Sequence, residues 1–110
     1  MDPCLCTHIL YSFVPIGPTG LLPSAYDYNL FVKMTEWKTR NPTLKILISV
    51  GGWTEGSTNF NSIVLTDQSR QSFCSQVVRV AREYNLDGFD IDWYLILILD
   101  FFLFLDLLII

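Results

Sequence analysis

The chain has 110 residues, is 51% hydrophobic and carries a formal net charge of −4, which suits one small domain or part of a larger one. Its seven Lys and Arg residues form no cluster. Nucleic acid is therefore excluded as an expected partner, because phosphate binding requires a basic patch.

The first residues hold two of the three cysteines. Cys4 and Cys6 are too close in sequence for an easy disulfide, and with Cys74 the odd count leaves at least one free thiol. No metal site is expected, because the single histidine, His8, adds too few ligands. The start MDPCLCTH lacks a basic region and a long apolar region, so it does not resemble a signal peptide.

A strand and a helix are predicted next. Residues 8–14, HILYSFV, form an apolar and aromatic run that predicts a buried strand, and a Pro/Gly stretch follows it. The helix is predicted to begin at an Asp27 N-cap and to end at Asn41, before a proline. Its apolar side chains recur at helical spacing at Leu30, Met34 and Trp37.

Two further strands enclose a second helix. Residues 44–53, LKILISVGGW, are apolar throughout after the lysine, as in a parallel sheet covered on both faces. A polar loop at 54–61 leads to a helix after Thr66, with Asn85 as its C-cap and a third strand at 86–93. The helix has one apolar face, formed by Phe73, Val77, Val80, Ala81 and Tyr84. This order predicts parallel β/α units, in which active sites lie at the carboxyl ends of the strands.

The segment 94–110 is almost wholly apolar but contains Asp100 and Asp106. It is short for a membrane span and has no basic flank, and each Asp near a bilayer centre would cost roughly 2.5–3.5 kcal/mol. We therefore expect no membrane partner, with an interfacial anchor as the alternative. The favoured interpretation is a tail outside any folded domain, produced by a frameshift or read-through.

The third predicted strand carries a row of acids. Asp90 and Asp92 are two residues apart, so they face the same way on a strand, and Asp87 precedes them. Position 94, where the next acid of the row would fall, is Tyr94. Taken alone, such a pair is interpreted as a hydrogen-bonded polar pair in a small sheet.

Three stretches together resemble glycoside hydrolase family 18, the chitinases and chitinase-like proteins. CTHILYSF, residues 6–13, is similar to the second barrel strand of that family. SVGGW, residues 49–53, matches its Ser-x-Gly-Gly motif at the end of the third strand. DGFDIDW, residues 87–93, matches its Asp-x-x-Asp-x-Asp-x-Glu motif up to but not including the Glu.

The resemblance implies an α/β fold, a partial (β/α)8 TIM barrel with the equivalents of strands two to four and two helices. Because such a barrel typically takes ~250 residues, residues 1–93 are predicted to form part of a catalytic domain, with 94–110 as an apolar tail. In secreted animal members the cysteine that matches Cys6 pairs with one on the first strand, which this chain lacks, so Cys6 is expected to be free. The resemblance also implies an extracellular protein.

Members of the family cleave β-1,4 bonds between N-acetylglucosamine units with retention of configuration at the anomeric carbon. The N-acetyl oxygen of the substrate itself is the nucleophile. The resemblance therefore implies no metal and no cofactor. The motif Glu protonates the leaving oxygen, and the Asp two residues before it orients the acetamido group. Carried over, Asp87, Asp90 and Asp92 match the motif aspartates, and Tyr94 occupies the place of the acid; a deleted Glu before Tyr94 is the alternative alignment. Tyrosine, with an ordinary pKa of ~10, is a poor proton donor to a glycosidic oxygen.

The resemblance further implies residues that contact sugar. Trp53 resembles the tryptophan of the sugar-binding floor, where an aromatic face stacks on a sugar ring. For Phe13 and Tyr11 the alternative is packing within the barrel. Ser49 is expected to hydrogen-bond the acid row, and Trp93 to pack on the opposite face of the strand. The predicted binding positions are Phe13, Tyr11, Gly51, Gly52, Trp53 and Thr54.

Three functional hypotheses follow. An active chitinase is disfavoured, because the motif Glu and half of the barrel are missing. The favoured hypothesis is an inactive chitinase-like fragment without independent function. The alternative is a non-catalytic protein that binds chitin or chito-oligosaccharides, which requires Trp53 in a formed cleft. The barrel-facing side of the sheet would be open in this fragment; the apolar tail is one candidate to cover it, and the alternative is an exposed, aggregation-prone surface.

Overall fold

The computed structural model describes residues 2–93, so the expectations for Tyr94 and for the tail 94–110 concern positions outside the described residues. The described part contains three long strands, a short hairpin, three α-helices and a 3-10 turn. In chain order these elements are β1 (His8–Val14), β2 (Ile16–Gly17), β3 (Gly20–Leu21), α1 (Ala25–Glu36), the 3-10 turn (Trp37–Thr39), β4 (Lys45–Gly51), α2 (Thr58–Val64), α3 (Asp67–Glu83) and β5 (Gly88–Asp92).

The three long strands form one parallel sheet in the order β1-β4-β5. Helices connect each strand to the next in the sheet, so the order along the chain is also the order in space. This confirms the predicted parallel β/α units. Within residues 2–93 the sheet is an arc and does not close into a barrel.

The helices cover one face of the sheet. On the central strand, Ile46, Ile48 and Val50 are fully buried. Because alternate side chains of a strand share a face, the residues between them point to the other side. We call that other side the acid face and define it by Leu47, Ser49, Asp90 and Asp92, which the strand register places together. The helices contribute Phe31, Met34, Phe60, Ile63, Phe73, Val77 and Val80 to the core on the covered face.

Helix α1 begins earlier than predicted. Its N-cap is Ser24, whose Oγ accepts a hydrogen bond from the backbone N–H of Asp27, while the Asp27 carboxylate accepts from the Ser24 N–H at 2.6 Å. The prediction of Asp27 as N-cap is therefore wrong, because an acid at the third helical position satisfies the same free N–H groups in a capping box. The helix ends at Glu36, and the residues that follow form the 3-10 turn instead of further α-helix.

Helix α2 lies where a loop was predicted. It begins at Thr58, inside the polar segment 54–61, and buries Phe60 and Ile63 to 1% exposure. Packing of these two side chains stabilises a helix that the local composition does not favour. The described chain therefore has three α-helices where two were predicted.

Helix α3 confirms the prediction more closely. Thr66 is its N-cap, in a capping box with Ser69. At the other end Asn85 has φ 54°, one residue past the cap residue, and the Leu86 N–H donates to the Ala81 carbonyl at 2.9 Å. This is the pairing of a Schellman motif, so Asn85 ends the helix as expected.

A two-stranded hairpin, β2 and β3, occupies the Pro/Gly stretch after β1. The side chain of Gln76 on α3 holds it: Oε1 accepts from the Leu21 N–H at 2.9 Å, and Nε2 donates to the Thr19 carbonyl at 3.0 Å. A Cβ at Gly20 would lie 2.0 Å from Gln76 Oε1, so only glycine allows this contact. The hairpin is thus attached to the helical layer just beyond the carboxyl end of β1.

Candidate functional site

The acid row lies on the acid face of β5, as predicted. Ser49 on β4 stands opposite Asp90 and is 1% exposed, and its Oγ donates a hydrogen bond to Asp90 Oδ2 at 2.6 Å. Asp92 stands opposite Gly51 and is exposed at the carboxyl end of the strand. The expected role of Ser49 as hydrogen-bond partner of the acid row is therefore confirmed.

Two glycines bring three chain segments together at this edge. Gly51 and Gly52 have φ values of +106° and +80°, a backbone conformation that residues with a side chain rarely adopt. A Cβ at Gly51 would lie 2.3 Å from the carbonyl oxygen of Asp92, and one at Gly52 would lie 2.8 Å from the ring of Phe13. The Gly52 N–H also donates to the Asp92 carbonyl at 2.8 Å. The ends of β1, β4 and β5 therefore meet closely only because both positions lack a side chain.

Aromatic side chains remain accessible at the same edge. Trp53 is 78% exposed directly after the two glycines, and Thr54 beside it is also exposed. Phe13, whose ring lies over Gly52, is 46% exposed. The structure therefore brings together Phe13, Gly51, Gly52, Trp53, Thr54, Asp90 and Asp92 of the predicted positions.

Tyr11 lies elsewhere, on the helix-covered face. Its ring packs edge-on against Phe31 at 5.5 Å, and its hydroxyl donates to Asp27 Oδ1 at 2.5 Å. Burial, and then the hydrogen bond and charge of Asp27, raise the pKa of Tyr11 to about 12. A register shift in β1 between Ser12 and Val14 separates Tyr11 from Phe13, which a regular strand would place on the same face. Tyr11 is therefore not at the predicted binding edge; it packs, but against helix α1 and not inside the barrel.

Asp87 lies at the opposite end of β5 from Asp92. Its carboxylate accepts from the Ile46 N–H at 2.8 Å and pairs with Lys38 at 2.7 Å and Lys45 at 3.7 Å. Burial acts to raise the pKa of Asp87, but the hydrogen bonds from Lys38 and Ile46 and the charges of both lysines hold it below its usual value. Asp87 therefore joins β5 to β4 and to the turn after α1, away from the carboxyl edge.

Trp93 follows Asp92 and packs on the other side, as predicted. It is 8% exposed, stacks on Phe60 with ring centroids 5.0 Å apart, and donates from Nε1 to Ser57 Oγ at 2.9 Å. Ser57 belongs to a segment that we call the Trp53 loop, residues 52–57. The loop is also bonded through Glu55 to Asn59 on α2, which in turn bonds to Ile16. These contacts were not predicted, because the sequence of a polar segment does not indicate which side-chain amide will bond to a distant part of the chain.

Two other kinds of site are absent from the described residues. Between residues 2 and 93, no cluster of His, Cys, Asp and Glu side chains has the arrangement needed to hold a metal ion. Over that same stretch, no helix is long and apolar enough to cross a membrane. All three cysteines are free thiols, which includes the expected free Cys6.

The fold and the edge together define a class of protein. An arc of consecutive parallel β/α units that presents acids and an exposed tryptophan at the carboxyl ends of its strands is typical of β/α-barrel enzymes and of binding proteins derived from them. In agreement with this, the sequence profile of glycosyl hydrolases family 18 matches residues 1–96, and the chain belongs to that family.

Curated relatives are chitinases and chitinase-like proteins. The chain is 37% identical over 102 residues to probable chitinase 2 of Drosophila melanogaster, covering 84% of this chain and 21% of that protein. It is 36% identical over 94 residues to chitinase-3-like protein 2 of Homo sapiens, covering 84% of this chain and 24% of that protein. The chain thus spans about a fifth to a quarter of the length of these relatives.

Solved structures give the same result. Human YKL-39, described as a pseudo-chitinase with retained chitooligosaccharide binding properties, superposes with a TM-score of 0.77 at 36% identity, over 84% of this chain and 26% of that one. A class V chitinase of Nicotiana tobaccum superposes with a TM-score of 0.82 at 28% identity, over 98% of this chain and 32% of that one. The predicted fold class, part of a family 18 TIM barrel, is confirmed.

Proposed function

We propose that this chain is a chitinase-like polypeptide that does not hydrolyse chitin. One observation carries the proposal: tyrosine stands at position 94, where the family motif has its acid, and no Glu follows Trp93 in the chain. Departure of the leaving sugar requires a proton donor that is protonated near neutral pH and gives its proton up readily. A tyrosine, with an ordinary pKa of ~10, holds its proton too tightly for that task.

The remaining polar groups support the same conclusion. The Asp90 carboxylate accepts a hydrogen bond from the Ser49 hydroxyl, so it acts here as an acceptor and not as a proton donor. Asp92 stands at the edge of the sheet, where it can accept a hydrogen bond from an acetamido N–H. Both groups help to orient a substrate, but neither occupies the motif position from which the leaving oxygen is protonated.

The test is a hydrolysis assay on the purified full chain with a fluorogenic chitobioside. We expect release of the fluorophore at the rate of a buffer blank. The Asp92→Asn variant, prepared in parallel, identifies contaminating enzyme, since contamination would persist in it. Turnover by the unmodified chain that disappears in Asp92→Asn would refute the proposal.

A second candidate function is binding of chito-oligosaccharides without cleavage. Trp53 offers a broad exposed aromatic face, Phe13 lies beside it over Gly52, and Asp92 adds a hydrogen-bond acceptor at the same edge. Flat apolar faces next to a few polar groups suit the apolar and polar surfaces of a sugar ring. The retained chitooligosaccharide binding of human YKL-39 shows that a related pseudo-chitinase can have this function.

Retention on chitin beads tests this function. The Trp53→Ala variant should lose about tenfold in affinity, as expected for roughly 1.4 kcal/mol of aromatic stacking. Tyr26→Ala is the matched control, because Tyr26 is an aromatic residue on α1 that is 68% exposed and lies on the helical side of the sheet. Equal retention of the two variants would remove Trp53 as the binding residue.

A further inference from the structure

We infer that Asn59 is a positioning residue that holds the Trp53 loop against strand β2 of the hairpin; the inference rests on the proposed binding function for its consequence, though not for its geometry. The Asn59 amide nitrogen donates to the carbonyl of Ile16 at 3.1 Å and to the Glu55 carboxylate at 2.8 Å. A side-chain amide has two N–H donors, so a single group makes both bonds. We call this pair of bonds the Asn59 bridge.

The bridge adds an attachment of the Trp53 loop to those at its two ends. Both ends of the loop bond to the end of β5, through the Gly52 N–H to Asp92 and through Ser57 Oγ to Trp93. In between, Gly56 has φ +65°, and a Cβ there would meet no heavy atom within 4 Å. The chain is therefore unpacked on the Cβ side of Gly56, and the neighbouring Glu55 side chain connects the loop to the hairpin through Asn59.

The bridge links the two accessible aromatic side chains. Ile16 follows Phe13 by three residues, and Glu55 follows Trp53 by two. A bond between the segments that follow each aromatic residue fixes the separation of Phe13 and Trp53 before a ligand arrives. Preorganisation of this kind raises affinity, because the ligand does not have to order the loop on binding.

A purely helix-stabilising role for Asn59 makes a different prediction. Asn59 lies in the first turn of α2, where an acidic side chain interacts favourably with the helix dipole. The Asn59→Asp change therefore preserves the helix while it replaces the NH2 group, which carries both N–H donors, by one oxygen atom that faces the Ile16 carbonyl and the Glu55 carboxylate. A helical role predicts little effect of this change, whereas the bridge predicts release of the loop.

The experiment measures hydrogen exchange of the backbone amides in residues 53–58 of the full chain, together with its affinity for the N-acetylglucosamine tetramer by calorimetry. For Asn59→Asp we expect faster exchange in that segment, unchanged exchange in β4 and α3, and about a fivefold loss of affinity, the size expected when the bond to Ile16 that ties the loop to the hairpin is lost. The control is Asn61→Asp, the same substitution at an exposed position of the same helix.

Changes at the other side of the bridge provide an independent arm. Glu55→Gln keeps an oxygen that accepts from Asn59 and should resemble the unmodified chain, whereas Glu55→Ala should show faster exchange and the same loss of affinity. This pair decides the matter if Asn59→Asp fails to fold by circular dichroism.

The exchange and affinity measurements decide separately whether Asn59 holds the loop and whether that matters for binding. Exchange in residues 53–58 that is the same in Asn59→Asp and Asn61→Asp, or in Glu55→Ala and Glu55→Gln, overturns the inference. If the unmodified chain binds no tetramer, the proposed binding function fails, and the exchange measurements still decide whether Asn59 positions the loop. Faster exchange without a loss of tetramer affinity would overturn the role of Asn59 in binding.

Discussion

The hydrogen bond from Ser49 to Asp90 is the contact on which the acid row most directly depends. The Ser49 hydroxyl is 1% exposed on the central strand, and its oxygen lies 2.6 Å from Asp90 Oδ2. In the Ser49→Ala variant the carboxylate loses this donor, and little else changes because the side chain is small. We expect the variant to fold and to be less stable.

The magnitude follows from the kind of bond and from its surroundings. A hydrogen bond to a charged acceptor contributes ~1.5–3 kcal/mol to the free energy of unfolding when the partner stays dry. Asp90 is half-buried, so water partly replaces the lost donor, and we expect a loss of about 1–2 kcal/mol. For a domain of this size that corresponds to a fall in Tm of roughly 4–16 °C.

Urea and thermal unfolding followed by circular dichroism measure the loss. The matched control is Ser12→Ala, because Ser12 is exposed on β1 and pairs with Ser49 in the strand register. Asp90→Asn completes a double-mutant cycle, in which the two changes should be less than additive since they remove the same bond. Equal losses for Ser49→Ala and Ser12→Ala, or full additivity with Asp90→Asn, would refute the reasoning.

Two further predictions concern the layer beneath the site. The pKa of Tyr11 is raised from 10.0 to about 12, so the stability that its proton confers is complete below pH 10 and is lost as the pH rises towards 12. Tyr11→Phe removes the bond to Asp27. The stability advantage of the unmodified chain over this variant should therefore shrink between about pH 10 and pH 12 in urea titrations, and a constant difference would contradict this. Phe60→Ala should lower the free energy of unfolding by roughly 3–5 kcal/mol in the same assay, because the Phe60 ring is 1% exposed and stacks on Trp93. The control is Leu65→Ala, at a site 78% exposed, and a comparable loss there would argue against a packing origin.

The local pattern of side chains determined the parallel sheet and the acid row. The apolar run of β4 predicted a central strand of a parallel sheet, although within residues 2–93 the helices cover only one of its faces. The spacing of Asp90 and Asp92 required a common face whatever the rest of the fold. The end of α3 at Asn85 also followed from local chemistry, because asparagine tolerates the left-handed backbone that ends a helix. These features depend on the backbone and on near neighbours, which the sequence contains directly.

Tertiary contacts decided the features that depend on distant partners. Helix α2 exists because Phe60 packs into the core, although its flanking residues resemble a loop. Tyr11 keeps the regular register opposite Ile48 and faces the helices, whereas the register shift after Ser12 leaves Phe13 over Gly52. A one-residue irregularity of this kind changes which face the next side chain occupies without changing the local composition. Asn59 joins segments 43 residues apart in the chain, and only the folded structure brings its amide to the Ile16 carbonyl.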